Sequence, residues 1–190
     1  MTTTLSSIQH ACTAQCTGDS PLGPLLLART ARGLAGVWFE HQQQHPSSVW
    51  NVTTLAQDPL LLRTKQLLER YFAGEAVAFD VPLDLHGTPF QRSVWQALLR
   101  IARGRTSTYG DIAAQLGTPR ASRAVGAAVG RNPVSVIVPC HRVLGAGGAL
   151  TGYAGGLARK LALLDLERQP QPLTRPTRPM RAEARLEIAT

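Results

Sequence analysis

"TSTYGDIAAQLGTPRASRAVGAAVGRN", residues 106–132, is the stretch on which the fold turns. Ile112, Ala113 and Leu116 fall on one face of a short helix that Gly117 can end, because glycine takes the left-handed backbone a helix stop needs. A fresh start follows at once, with Thr118 as cap and Pro119 at the first helical position, where its missing N–H costs nothing. Two short helices about a glycine turn predict a helix-turn-helix. The second carries Arg120 and Arg123, with Arg131 at its end, beside Ala121, Gly126, Ala127, Ala128 and Gly130. Such small residues let a backbone approach another surface, and they equally permit tight helix packing; both readings stay open.

Upstream, Thr88 can cap a helix that sets Phe90, Val94, Leu98 and Ile101 on one face. Before it, "VPLDLHGTPF", residues 81–90, has two prolines, a glycine and little periodicity, which predicts an inter-domain linker. Further back, Asp58 and Pro59 open a helix with Leu61, Leu62, Lys65, Leu68 and Phe72 at helical spacing and Gly74 as its stop. From Asp19 to Glu40 the sequence reads as two strands about a turn near Ala31 to Gly33. An α/β unit over 1–84 therefore precedes a mostly helical unit over 85–169. The remaining residues, 170–190, are rich in proline and arginine and predict a disordered basic tail.

Downstream, "VSVIVP" reads as a buried strand ended by Pro139, and Cys140 follows with His141, Arg142 and a glycine-rich loop. A free cysteine is most often a small buried hydrophobe. Here a base, a cation and a strand end adjoin it, and a thiol becomes a nucleophile as its thiolate. Adjacent side chains of an extended chain point opposite ways, so Cys140 and His141 call for a bridging water. An acceptor to orient the imidazole could be Glu167, near the end of the last helix "LARKLALLDLE", with Asp165 one of several rivals.

Composition narrows the classes. No apolar stretch approaches a bilayer's thickness and the N-terminus has no basic region leading into an apolar one, so neither a membrane anchor nor an export signal is expected. Three unevenly placed cysteines, Cys12, Cys16 and Cys140, fit a reducing compartment, the cytoplasm by default. The formal net charge of +8 favours a polyanion such as nucleic acid.

"PCHR" preceded by "NPV", then "TGYAGG", with "TYGDIAAQLG" and "ASRAVG" upstream, together resemble the O6-alkylguanine-DNA alkyltransferases, from Thr88 to Glu167 and weakly through "DSPLG". The resemblance implies a small ribonuclease H-like sheet domain followed by the helix-turn-helix domain. It implies an irreversible, single-turnover transfer from O6-alkylguanine in double-stranded DNA to Cys140 without a cofactor, with O4-alkylthymine a further substrate to test. By the same resemblance His141 is the water-mediated base, Glu167 its orienter and Tyr109 a donor to the purine ring, while the Ala154 amide faces O6. Val143, Tyr153, Gly155 and Gly156 would line the guanine pocket, although Tyr153 could equally be a core aromatic. Asn132 would be a hinge and also a turn residue before Pro133. Arg123 would fill the place of a flipped base, and Arg120, Ser122, Ala124 and Arg131 would meet DNA with it, from the minor groove. A monomer in solution, with cooperative binding on DNA left open, is expected. Metal is not expected, because Cys12 and Cys16 do not match the zinc ligands of some relatives. Alkyltransferase-like proteins without the acceptor cysteine are set aside by Cys140. Two other classes compete: a lesion-binding module that transfers nothing, and a cysteine hydrolase.

Overall fold

The structure is a computed structural model and describes residues 4–46, 50 and 58–168. Helix α1 (Thr4–Ala11) leads into strand β1 (Cys12–Gly18), and β2 (Leu25–Thr30) and β3 (Gly33–Phe39) complete an antiparallel sheet in the order β1-β2-β3. The hairpin forms where the turn residues Ala31 and Arg32 interrupt two apolar runs. Neither α1 nor β1 was foreseen, since "TLSSIQHA" and "CTAQCTG" lack a strong period. The sheet is buried on both faces. Leu26, Ala28, Ala35 and Trp38 pack with Ile8 of α1 and with Trp50, while Leu25, Leu27, Leu34, Val37 and Phe39 belong to the main core.

Helix α2 (Pro59–Phe72) starts at Asp58, whose carboxylate accepts from the amides of Leu60 and Leu61 at 3.0 Å each and pairs with Arg29 of β2 at 3.0 Å. One residue thus satisfies the helix's orphan donors and fixes it to the sheet. The buried face is Leu61, Thr64, Leu67, Leu68 and Tyr71. This corrects the expected stripe: Leu62 is exposed and Phe72 only partly buried, because the helix is rotated to bring Thr64 and Tyr71 inward.

The predicted linker is stitched to the sheet. Leu34 donates to the carbonyl of Pro82 and Asp84 donates back to Leu34, both at 2.8 Å. Asp84 accepts from Thr30 at 2.7 Å and bonds His86 at 2.8 Å, and His86 bonds Ser7 of α1 at 2.8 Å. Farther along the same strand, Val37 donates to Pro133 and accepts from Ser135, 2.9 Å each. Strand β3 therefore carries both seams to the second half, and one apolar cluster runs through them.

That half contains α3 (Pro89–Leu98), β4 (Ser107–Thr108), α4 (Tyr109–Gln115), α5 (Ser122–Gly130), β5 (Val143–Leu144) and α6 (Leu157–Arg168), with β4 and β5 parallel. Thr88 and Gln91 form the capping box of α3, and Trp95 of α3 donates to the Ala128 carbonyl of α5 at 2.9 Å. Helix α5 starts later than expected. Thr118 and Pro119 make a turn, closed by the Ala121 amide on the Thr118 carbonyl at 2.8 Å, and Ala121 is the cap residue with no side-chain bond.

The segment 134–138 is not a strand. After a single bridge between Val134 and Val37 the chain turns, with Val136 at φ 72, and Val138 donates to Val134 at 3.0 Å. Its apolar run reflects complete burial, which a turn can share with a strand. Among the described residues no helix is long and apolar enough to cross a membrane, and no group of histidine, cysteine and acidic side chains could hold a metal ion. The basic tail expected over 170–190 lies outside the described residues.

Candidate active site

The turn at 134–138 delivers Cys140 into a 3-10 turn, Cys140–Arg142, so Cys140 and His141 are not on the extended chain the sequence predicted. Asn132 holds this delivery. Its Oδ1 accepts from the Val134 amide at 3.0 Å, and its Nδ2 donates to the Val138 carbonyl at 2.8 Å and to Cys140 Sγ at 3.0 Å. The same side chain closes the turn and touches the sulfur. Cys140 is 4% exposed, and burial pushes its thiol up; the Asn132 bond and the Lys160 charge oppose that without overcoming it. The resting group is the thiol, and it needs a base.

His141 is fully buried, and its Nε2 donates to Glu167 Oε1 at 2.9 Å. Its Nδ1 is buried and has no hydrogen-bond partner among the described residues. Burial depresses the imidazole pKa against the pull of Glu167, which leaves a neutral ring. Of the candidate acceptors, Glu167 is the one bonded to His141; Asp165 is exposed and pairs with Arg168 at 3.4 Å.

Glu167 is a crowded acceptor. Oε1 takes bonds from His141, from Arg142 Nη2 at 2.8 Å and from the Tyr71 hydroxyl at 2.7 Å, while Oε2 takes Arg142 Nε at 2.8 Å and the Gly104 amide at 3.3 Å. Burial pushes this carboxyl up, but the bonds and charges of His141 and Arg142 outweigh it and hold the group well below the usual carboxylate range. The anion is permanent at neutral pH. Sequence reasoning noted Arg142 only as a neighbour of the thiol, and it missed Tyr71, which lies ninety-six residues from Glu167.

Lys160 was missed too. It is fully buried, and its ammonium donates to the carbonyls of Val143, Thr151 and Gly152, fixing the loop that follows the cysteine turn. Tyr109, the first residue of α4, reaches the same Thr151 and Gly152 carbonyls at 3.3 Å. Burial raises its phenol, so it remains a donor. On that loop the Tyr153 hydroxyl is buried, and its ring covers Gly155, where an added Cβ would sit 2.6 Å from a ring carbon. The Ala154 carbonyl accepts from the Gln43 amide at 2.9 Å. Val143 is fully buried, and Gly156 is exposed at φ 90.

The helix-turn-helix presents a separate surface. Val125, Ala128 and Val129 of α5 face the core, which leaves Arg123, Ala124 and Ala127 exposed, with Arg131 beyond them and Arg120 in the turn before. Between α4 and α5 runs a groove of about 420 Å³ lined by Tyr109, Ser122, Arg123 and Gly126. Tyr109 lines that groove and also bonds the loop after the cysteine turn, and Ala146 of that loop lines the groove as well.

Fold and site together define a cysteine-centred protein: a three-stranded sheet, a helix-turn-helix, and a buried thiol held by Asn132 and followed in the chain by a histidine paired with a carboxylate. Comparison with known proteins agrees. The family model for the 6-O-methylguanine DNA methyltransferase ribonuclease-like domain matches residues 15–85, and the one for the same family's DNA binding domain matches residues 89–169. The methylated-DNA–protein-cysteine methyltransferase of Mycobacterium leprae (strain TN) is 51% identical over 151 residues, 79% of this chain and 89% of its own. That of Methanosarcina acetivorans is 50% identical over 152 residues, 78% of this chain and 94% of its own. The crystal structure of Mycobacterium tuberculosis OGT in complex with DNA is similar at a TM-score of 0.74 and 50% identity, covering 82% of this chain and 93% of that one. The chain belongs to the 6-O-methylguanine DNA methyltransferase family.

Proposed function

We propose that this protein repairs DNA by moving the alkyl group of O6-alkylguanine onto Cys140, once per molecule. The family's activity, transfer from methylated DNA to a protein cysteine, is the coarse form of this reading. The finer form rests above all on one observation: a buried thiol held by Asn132, next to a neutral histidine whose Nε2 is taken by Glu167 and whose Nδ1 has no partner among the described residues.

In this mechanism His141 Nδ1 takes the Cys140 proton through a bridging water. Glu167 stabilises the imidazolium that results, and Asn132 donates to the thiolate as it forms. The sulfur attacks the alkyl carbon in line, the carbon–O6 bond breaks, and its electron pair passes to the purine. Tyr109 donates toward the ring as charge builds there, and the Ala154 amide faces O6. The product is a thioether, and a stable carbon–sulfur bond leaves no thiol for a second round. Because Cys140 is buried, a base within a duplex has to swing out to meet it, at a cost of about a few kcal/mol. Arg123 fills the gap left behind. Arg120, Ser122, Ala124 and Arg131 contact the backbone and minor groove, while Val143, Tyr153, Gly155 and Gly156 enclose the guanine.

The test is incubation with duplex DNA carrying radiolabelled O6-methylguanine, with an O4-methylthymine duplex in parallel. One equivalent of label per protein, absent in Cys140→Ala, is expected. Release of labelled product with turnover would move the reading to a hydrolase, and lesion binding without label would leave only a sensor.

A further inference from the structure

We infer that Tyr71 is a positioning residue for the transfer, reaching from α2 in the ribonuclease-like half to set how strongly Glu167 holds the proton-bearing form of His141. The inference rests on the base role given to His141 above and adds a residue to it.

Three donors converge on Glu167 Oε1: Tyr71 at 2.7 Å, Arg142 at 2.8 Å and His141 at 2.9 Å. An oxygen has limited charge to share, so each donor weakens the grip of the others. Arg142 also occupies Oε2, and of the three donors at Oε1 the Tyr71 hydroxyl is the one that stays neutral whether or not His141 gains a proton. The phenol is itself held in place. Tyr71 is 1% exposed, its ring lies 5.4 Å from the Phe72 ring, and the Arg103 guanidinium sits over it at 5.4 Å while bonding the carbonyls of Gly74, Glu75 and Leu166. Burial and the facing carboxylate drive the phenol far above its ordinary pKa, so it donates at every working pH. The charged and titratable groups acting on His141 are Glu167, Arg142 and Lys160, with Cys140 preceding it in the chain. Of the three donors at Oε1, the tyrosine is the one that loses its hydrogen bond by removal of a single oxygen with no change of charge.

The sign follows. Removing the Tyr71 hydroxyl leaves more charge on Oε1 for His141, so the imidazolium is better stabilised and the histidine becomes more basic. Tyr71→Phe therefore moves the acid limb of the transfer rate to higher pH, by roughly half a unit to one unit. Site-specific 3,5-difluorotyrosine at position 71, with Tyr109 and Tyr153 natural, is a stronger donor of nearly the same shape and moves the limb the other way.

Two readouts separate this inference from the one beneath it. Imidazole nitrogen shifts of His141, followed by NMR across pH in the full chain, report the coupling whether or not the histidine is the base. Single-turnover transfer to a methylated duplex reports its use. Opposite displacements of the His141 titration in the phenylalanine and difluorotyrosine variants are expected, with the rate profile following. If the titration moves and the rate profile does not, Tyr71 keeps its hold on His141 but the base assignment fails and the positioning role in transfer falls with it. Unmoved nitrogen shifts in both folded variants overturn the inference, and so does a Tyr71→Phe protein that has lost stability alone.

Discussion

Replacing Glu167 by glutamine removes the charge around which the site is assembled while keeping its shape. The carboxylate accepts five hydrogen bonds and its side chain is 1% exposed. A glutamine offers one oxygen. With that oxygen facing His141, Tyr71 and Arg142 Nη2, its amide N–H₂ is turned onto Arg142 Nε and the Gly104 amide, both of which are donors. Arg142, 12% exposed, then keeps its charge with no anion beside it. Breaking a buried pair from one side costs about 3–5 kcal/mol. At roughly 2–4 °C per kcal/mol for a chain of this size, that lowers the melting temperature by about 6–20 °C. Transfer should slow by roughly 10²- to 10⁴-fold below the melting range, as expected when a general base loses its partner.

The pH dependence has a definite sign. The folded pKa of Glu167 lies below its ordinary value of 4.5, so its stabilisation is complete above 4.5 and is lost as pH falls below that value toward the folded pKa. Urea denaturation of both proteins from pH 7.5 down to pH 3 should therefore show a constant gap above about pH 5.5 and a narrowing one below 4.5. A gap under about 1 kcal/mol at neutral pH, or one that widens in acid, would refute the reasoning.

Asn132→Ala removes the donor to Cys140 Sγ and leaves the Val134 amide without its side-chain acceptor; alkylation of the thiol by iodoacetamide should shift to higher pH, and an unmoved profile would show that the bond does not act on the sulfur. Arg123→Ala should weaken repair of duplex lesions while sparing reaction with free O6-benzylguanine, since the residue lies on the exposed face of α5; equal losses in the two single-turnover assays would make it structural. Gly33→Ala puts a Cβ 2.5 Å from the Pro82 carbonyl oxygen and forces that strand seam apart; a loss of about 1–3 kcal/mol in denaturation is expected, and an unchanged midpoint would mean the seam yields freely.

How far the sequence could be read depended on whether the signal was local. Asp58 and Pro59, Thr88 and Gln91, and the hairpin about Ala31 declared themselves because a cap or a turn is written within a few residues. The start of α5 was misplaced for the same reason, since Thr118 and Pro119 carry the chemistry of a helix start and are used for a turn. At 134–138 burial imitated a strand, and the left-handed Val136 breaks a residue preference that no pattern could have foretold. The pairing of His141 with Glu167 was one of several options in sequence and became unique only when α6 packed on the cysteine turn. Tyr71 had no signal at all: it reads as one more core aromatic of α2, and only the seam along β3 carries it to the carboxylate.

The burial of Cys140 has one more consequence. A nucleophilic thiol has to stay reduced until its substrate arrives, while peroxides and disulfides attack exposed thiolates. A sulfur 4% exposed and held in its protonated form is slow to react with such oxidants. The packing that keeps Cys140 from solvent thus also guards it against oxidation before it reacts.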